Sequence, residues 1–342
     1  MSFLQRLPGL RSWETLLLVL LVAIVGYSAA TTPNYLSADS ISDMFRLSIE
    51  KAIVVIIMAF VIINAEIDLS VASIMALSAS LVAYTYEQGA SVVVGIAVAL
   101  LVGALCGAIN GFFIAYLKIS SLVVTLAGLI MYRGFARILL EDRSVGDFPD
   151  WFTSIANDGF IGMFPFTIVI FVVLFVIAYV ILQYSTFGRY VYAVGNNLEA
   201  SEYAGIKVRR VKMQIFIASA TFSALAGILL AARGDVNAGV AEGFELDIIT
   251  IVLLGGVSIF GGRGTMLGVG LGLLVVLSLR NGMRLNNVVG QTQSMVVGLL
   301  LILSVLIPNM AASFQVWWAR QSFGDEEKSK TSEGGVSPTV TQ

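Results

Sequence analysis

Two pairs of acidic residues border long apolar segments, and they are the groups in this chain best suited to chemistry. Glu66 and Asp68 form the first pair, and Glu245 and Asp247 form the second. A carboxylate inside a bilayer is costly and usually functional, whereas one at the interface costs little. We therefore expect a structural or gating role for these pairs ahead of direct contact with a substrate.

Single polar side chains also interrupt the apolar segments, where they could face a polar pathway. The predicted pathway or gating residues are Asn64, Asp68, Asn110, Thr125, Asp247 and Ser258. Polar side chains also hold helices together in lipid, so each of them alone indicates little.

A basic polar stretch, 184–212, stands out from the apolar remainder of the chain. It carries Arg189, Lys207, Arg209, Arg210 and Lys212. Within it, 198–206 offers helix formers and then Gly205, a residue type that commonly ends helices. A short helix there would present Ala200 and Ala204, four residues apart, as a small flat face. This pattern favours a docking segment for a cytoplasmic partner over a solvated loop that only fixes orientation.

Several kinds of chemistry find no support in the sequence. The chain has no histidine and one cysteine, Cys106, so neither a disulfide within the chain nor a metal site is expected. The phosphate-binding pattern G-x-x-x-x-G-K-[ST] needs a Gly-Lys pair, and the chain has none. We expect no catalytic residue and no cofactor, and any ATP that drives this protein must be hydrolysed by another chain. A net charge of −2 argues against a nucleic-acid partner.

Composition places the chain in the bilayer. Apolar residues make up 58% and charged residues 12%, against about 25% charged in ordinary soluble domains. We predict an all-α polytopic membrane domain over 1–321 and a disordered cytoplasmic tail over 322–342. The predicted spans are 14–32, 48–63, 70–86, 91–116, 120–140, 164–183, 213–232, 246–261, 265–280 and 293–313. Ten spans put both ends on one side, and the basic 184–212 loop indicates that this side is cytoplasmic.

Internal similarity indicates an inverted repeat. The motif at 66–69, EIDL, matches 245–248, ELDI, and the segment starting at Ser121 resembles that starting at Ser294. Both offsets are five spans, an odd number, so the two halves would be inverted in the membrane, as in many transporters.

Glycines recur in two places. Gly103, Gly107 and Gly111 stand four apart, which favours close helix packing. The glycines of 255–264 predict a hinge or a broken helix.

Three segments together resemble one family. They are 66–73, 199–206 and 246–264, the last containing LLGGVSIFGGRG. In this order they are similar to the permeases of bacterial monosaccharide ABC importers, a family that includes ribose, xylose, arabinose, rhamnose and autoinducer-2 systems. The resemblance covers roughly 35–310. The chain departs from the family at Ala65-Glu66, where a Gly-Gly pair is frequent.

The resemblance implies a type II importer fold and a multi-pass protein of the bacterial inner membrane. It implies a second permease copy or paralogue, a periplasmic sugar-binding protein and a cytoplasmic ATP-binding-cassette ATPase as partners, besides the lipid bilayer. The family's E-A-x(4)-G motif falls on Glu199, Ala200 and Gly205, the predicted ATPase-coupling residues.

The residues alone leave a second interpretation open. An ion-coupled secondary transporter of a small polar solute would use Asp68 or Asp247 as its coupling carboxylate. Neither interpretation names the sugar or decides between a homodimer and a heterodimer.

Overall fold

The computed structural model describes residues 12–141, 143–161, 164–300, 302–303 and 306. Its helices are α1 (Ser12–Thr31), α2 (Ala38–Arg46), α3 (Ile49–Ile63), α4 (Val71–Glu87), α5 (Val92–Ala115), α6 (Ser121–Leu140), α7 (Asp150–Asn157), α8 (Phe166–Tyr184), α9 (Thr186–Asn196), α10 (Leu198–Tyr203), α11 (Val208–Arg233), α12 (Phe244–Leu254) and α13 (Met266–Leu285). Residues 290–300 are also helical and are called α14. Strands β1 (Gly159–Ile161) and β2 (Phe164–Pro165) pair antiparallel, with Gly159 opposite Pro165. The all-α prediction is confirmed, with one short hairpin between α7 and α8.

Each predicted span corresponds to a helix. Among the described residues, six helices are long and apolar enough to cross a membrane: α1, α5, α6, α8, α11 and α13. The remaining four segments correspond to α3, α4, α12 and α14. The predicted tail, 322–342, and the end of the tenth segment, 307–313, lie outside the described residues.

Helix α3 lies at the centre of the bundle. All its residues except Lys51 are buried, and it packs against α8, α11, α12 and α13. Its 15 residues span about 22 Å, which is shorter than the hydrocarbon core. A helix that is apolar all round is a buried helix, and here neighbouring helices rather than lipid surround it.

The predicted span 246–261 is wrong in its second half. Helix α12 ends at Leu254, and 255–265 is irregular, with Gly256, Gly261 and Gly262 at φ of +82°, +81° and +69°. These left-handed conformations suit glycine and break the helix, as the glycine density predicts.

The glycines of α5 fit against α11. A Cβ on Gly103 would lie 2.4 Å from the Ala224 Cβ, and one on Gly107 would lie 2.5 Å from the Phe216 carbonyl oxygen. A Cβ on Gly111 would meet the Met213 sulfur at 2.8 Å. The backbones of α5 and α11 therefore approach closely only because side chains are absent here, as expected of a packing motif.

Two ion pairs join the first and second halves of the chain. Glu66, just before α4, pairs with Lys212 near the start of α11. Asp247, in the first turn of α12, pairs with Lys51 near the start of α3 at 2.9 Å. Each acidic motif thus contacts the second spanning segment of the other half, through its first acidic residue in one case and its second in the other.

The described residues of the 141–163 region, which the sequence predicts as an outer loop, include regular structure. It contains α7 and β1, and Phe152 of α7 is 1% exposed. A single antiparallel β-bridge between Val145 and Val236 joins this region to the α11–α12 connection. Eight-residue helices of this kind have too few periodic residues for the sequence to predict them.

Candidate functional site: an exposed capped helix and a buried polar network

A short, well-capped helix occupies the centre of the basic stretch. The Asn197 side chain accepts a hydrogen bond from the Ala200 N–H at 2.9 Å, which caps the start of α10. At its end the Gly205 N–H donates to the Glu202 carbonyl and the Ile206 N–H to the Ser201 carbonyl, each at 3.0 Å. Gly205 has a φ of +80°, so the helix ends in a Schellman motif that favours glycine. Local sequence therefore fixes both ends of this helix.

Most of α10 faces away from the bundle. Only Ser201 is buried, whereas Glu199, Ala200, Ala204 and Gly205 are exposed. Tyr203 is 92% exposed, and no heavy atom other than those of its chain neighbours lies within 4 Å of a Cβ built on Gly205. The predicted coupling residues thus share one accessible helix and its cap. Their coupling role stays a prediction.

Open grooves and basic side chains border this helix. Two grooves of about 440 and 390 Å³ both contact Gly205, Ile206, Lys207 and Arg210. Arg209 lies over the Tyr116 ring, with 5.9 Å between its guanidinium carbon and the ring centroid. A surface of this shape and charge suits a partner with acidic side chains.

The glycine-rich loop, 255–265, packs against the segment that leads into α10. The Gly262 N–H donates to the Ile63 carbonyl at 2.8 Å, and the Tyr192 hydroxyl donates to the Gly264 carbonyl at 2.8 Å. A Cβ on Gly262 would lie 2.8 Å from the Asn196 Cα. The loop, the end of α9 and the α3–α4 turn therefore form one junction.

Helix α1 closes the same junction from its other side. The Trp13 indole donates to the Leu254 carbonyl at 3.0 Å, and a Cβ on Gly256 would overlap the Trp13 ring. The Thr265 hydroxyl donates to Glu14 at 2.5 Å and accepts from the Gly268 N–H, which caps α13. These contacts with α1 therefore stabilise the irregular segment that follows α12.

Asp68 organises a network of buried polar groups. One carboxylate oxygen accepts from the Ser70 N–H at 3.0 Å and the Ser70 hydroxyl at 2.6 Å, and the other accepts from the Ser219 hydroxyl at 2.8 Å. Asp68 is 1% exposed. Its hydrogen bonds join the α3–α4 turn to α11, so the carboxylate holds two halves of the bundle together.

Asn110 extends this network across α5 and α6. Its amide donates to the Ser70 hydroxyl at 3.0 Å, and its carbonyl oxygen accepts from the Tyr132 hydroxyl at 2.9 Å. Thr125 donates to the Ile67 carbonyl at 3.3 Å and to the Ser121 carbonyl at 2.7 Å. Asn110, Ser70 and Tyr132 thus satisfy one another, whereas Thr125 bonds to backbone carbonyls; buried polar groups in a bundle usually have such partners.

Asp247 lies in a separate charged cluster. It accepts from Lys51 at 2.9 Å and from Arg280 at 2.6 Å. Lys51 also lies 4.0 Å from the centroid of the Phe244 ring. Two cations therefore enclose this carboxylate, and α3, α12 and α13 are joined through it.

The predicted pathway residues fall in three places. Asp68, Asn110 and Thr125 belong to the buried network, Asn64 and Ser258 lie at the glycine junction, and Asp247 lies in its own cluster. Four of the six are buried, and Asp247 and Ser258 are partly exposed. Since buried side chains do not line an open surface, gating fits the four better than substrate contact. Their role remains a prediction.

Sequence reasoning missed the partners of these residues. They are Ser70, Ser219, Tyr132, Lys51 and Arg280. Ser70 was detectable because it follows Asp68 by two residues, a spacing typical of local hydrogen-bonded turns. Ser219 is 151 residues away from Asp68, and no short-range signal relates them.

A helical bundle of this pattern, with a capped helix projecting from its basic loop, defines a polytopic membrane transport subunit. Residues 40–305 match the family described as branched-chain amino acid transport system / permease component. The chain belongs to this family of permease components, and its resemblance to monosaccharide ABC importer permeases is confirmed.

Relatives of the chain cover most of its length. It is 33% identical over 299 residues to the ribose import permease protein RbsC of Haemophilus influenzae, covering 85% of this chain and 91% of the relative. It is 36% identical over 279 residues to the L-arabinose ABC transporter permease protein AraH of Azospirillum brasilense, covering 81% of each. It is 30% identical over 325 residues to the autoinducer 2 import system permease protein LsrD of an Enterobacter strain, covering 93% of this chain and 98% of the relative. No solved structure matches the chain.

Proposed function

We propose that this chain is the membrane-spanning subunit of an ATP-driven importer for a monosaccharide or a similar small polyol. It receives the solute from a periplasmic binding protein and couples to a cytoplasmic ATP-binding-cassette ATPase. The names of the ribose and arabinose permeases support the substrate class. The observation that carries the proposal is α10, an exposed helix capped at both ends in the most basic connection of the chain.

Each of the proposed coupling residues has a separate role at α10. Glu199 lies in its first turn, where an acidic side chain interacts favourably with the helix dipole. Ala200 and Ala204 leave a flat face that a cleft of the ATPase can approach closely. Gly205 ends the helix with no side chain, so the chain returns to α11 without blocking that contact.

The proposed docking of α10 to the ATPase also implies an orientation of the chain in the membrane. With α10 in the cytoplasm, the acidic 141–163 region faces outward and both chain ends are cytoplasmic. This arrangement agrees with the preference of lysine and arginine for cytoplasmic connections. Large apolar side chains remain exposed on α5 and α6, among them Leu101, Leu105, Ile130 and Ile138. They suit contact with lipid and with a second permease subunit.

The ion-coupled alternative fits the geometry less well. A coupling carboxylate must exchange an ion or a proton with solution. Both oxygens of Asp68 already accept hydrogen bonds from Ser70 and Ser219, and Asp68 is 1% exposed. Asp247 is held by Lys51 and Arg280. The ATPase-driven function is therefore the proposal.

Replacement of Gly205 tests the coupling role. We expect Gly205→Trp to abolish co-purification of the ATPase and substrate-stimulated ATP hydrolysis in liposomes, while insertion into the membrane stays normal. The indole would occupy the space that the partner needs. Gly205→Asn is the control, because asparagine tolerates positive φ and is small. Unchanged ATPase binding and stimulation in Gly205→Trp would exclude the coupling role.

A further inference from the structure

The tip of the glycine-rich loop presents an exposed aromatic side chain beside α10. Phe260 is 79% exposed, its neighbour Ile259 is 39% exposed, and Arg263 is also exposed. A large apolar side chain held in water is unfavourable, and exposed apolar side chains of this kind commonly mark contact surfaces.

Hydrogen bonds within the loop fix the conformation of its tip. The Ser258 hydroxyl accepts from the Phe260 N–H at 3.2 Å, and the Gly261 N–H donates to the Ser258 carbonyl at 2.9 Å. The Ser258 N–H donates to the Arg263 carbonyl at 3.0 Å and closes the loop. A preorganised aromatic side chain loses little conformational entropy on binding, which is the property of residues that dominate interface energies.

The tip and α10 are joined in one surface. Gly262 contacts Asn196, and a Cβ on Gly261 would lie 2.7 Å from the Gly195 carbonyl oxygen. Asn197, the next residue, caps α10. The base of the 259–263 loop therefore packs directly against the residues that lead into α10.

The size of α10 argues for a second contact. A stable protein interface involves about 20–30 residues on each side, and α10 contributes six. Arg263 adds a positive charge to a loop whose glycines pack against the connection that also carries Lys207, Arg209 and Arg210. A lipid interface is the other candidate occupant, and the labelling experiment distinguishes it from the ATPase.

From these observations we infer that the 259–263 loop is a second docking element for the ATPase, with Phe260 as its apolar anchor. This inference rests on the proposed function and deepens it. The ATPase would contact the permease at two places, α10 and the loop tip, and would offer an apolar pocket and acidic side chains to the tip.

Binding measurements test the anchor. Phe260→Ala in the full chain should weaken the affinity for the cognate ATPase about thirtyfold, the loss typical of a central interface aromatic. Trp151→Ala, which removes another exposed aromatic on α7, should leave this affinity unchanged. If the wild-type protein binds no ATPase, that result contradicts both the proposed function and this inference. If Gly205→Trp releases the ATPase but Phe260→Ala binds it with wild-type affinity, the result contradicts this inference alone.

Labelling identifies the occupant of the tip. Ile259→Cys in a Cys106→Ala background should react with an impermeant maleimide in inside-out vesicles and become protected when the ATPase is added. Equal labelling with and without the ATPase would overturn the inference. So would protection in ATPase-free liposomes but not in detergent, which would indicate lipid. Protection that is lost when residues 2–11 are deleted would indicate the chain's own N-terminal segment, and it too would overturn the inference.

Discussion

At the scale of single residues, the placement of Asp68 determines which function the structure supports. Its carboxylate accepts three hydrogen bonds from Ser70 and Ser219 and is shielded from solvent. A residue bound in this way stabilises a junction between helices. The same residue would be poorly placed to release a proton or a sodium ion on each transport cycle.

Replacement of Asp68 by asparagine separates these roles. We expect Asp68→Asn to lower stability by about 1–2 kcal/mol, since charge-assisted hydrogen bonds become neutral ones, and to retain ATP-driven uptake. Thermal denaturation in detergent and uptake in liposomes measure the two effects. Loss of uptake with normal stability would contradict a purely structural role for this carboxylate.

Ala65 carries backbone strain at the α3–α4 turn. Its φ of +59° lies in the left-handed region, where a Cβ costs about 1 kcal/mol or more. We expect Ala65→Gly to raise the free energy of unfolding by about 1 kcal/mol.

Ala193→Gly, in the middle of α9, is the matched control for Ala65. There the same change should destabilise by about 0.5–1 kcal/mol, because a helical glycine gains freedom in the unfolded chain. Thermal unfolding of both variants measures the difference. Destabilisation by Ala65→Gly as well would mean that the turn is not strained.

At the scale of elements, apolar run length predicts most of the bundle. Each of the ten predicted segments overlaps a helix, because a long apolar run leaves a strong signal, and among the described residues six of these helices are long and apolar enough to cross a membrane. The helix within 198–206 was predictable from its glycine and its helix formers. The early end of α12 was only partly predictable, since Val257, Ile259 and Phe260 continue the apolar pattern into a loop in which glycines with positive φ end the helix.

The polar network shows where sequence reasoning stops. Asp68, Asn110 and Thr125 were identifiable as polar residues in apolar surroundings, but their hydrogen-bond partners come from other helices. Lys51 and Asp247 are 196 residues apart. Only the tertiary arrangement decides whether such a residue lines a pathway or holds helices together.

The contact between α5 and α11 depends on glycine. A Cβ on Gly107 would lie 2.5 Å from the Phe216 carbonyl oxygen and 2.7 Å from the Ile217 Cα, so backbone must move. We expect Gly107→Ala to lower stability by about 1–3 kcal/mol, as overpacking does. Gly134→Ala is the control, because no heavy atom beyond its own helix backbone and chain neighbours lies within 4 Å of its added Cβ.

Thermal unfolding of the two glycine variants gives the readout. Gly134→Ala should be neutral or slightly stabilising, since alanine favours helix. A Gly107→Ala variant as stable as wild type would show that α5 and α11 pack less closely than described.

At the scale of the whole molecule, the two halves hold each other through reciprocal charged contacts. Glu66 binds Lys212 of the second half, and Asp247 binds Lys51 of the first. Motif resemblance predicted the family, which the match over 40–305 confirms. The sugar was not predictable, because the described polar residues make internal contacts and carry no pattern specific to one polyol.

The energy source is the most direct test of the central claim. Permease, cognate ATPase and binding protein are reconstituted in liposomes, with ATP held constant inside and proton and sodium gradients collapsed by ionophores. The account predicts that uptake of the binding protein's sugar continues under these conditions and stops when the ATPase is omitted. Uptake that ceases with the collapsed gradients, or that proceeds without the ATPase, would contradict it.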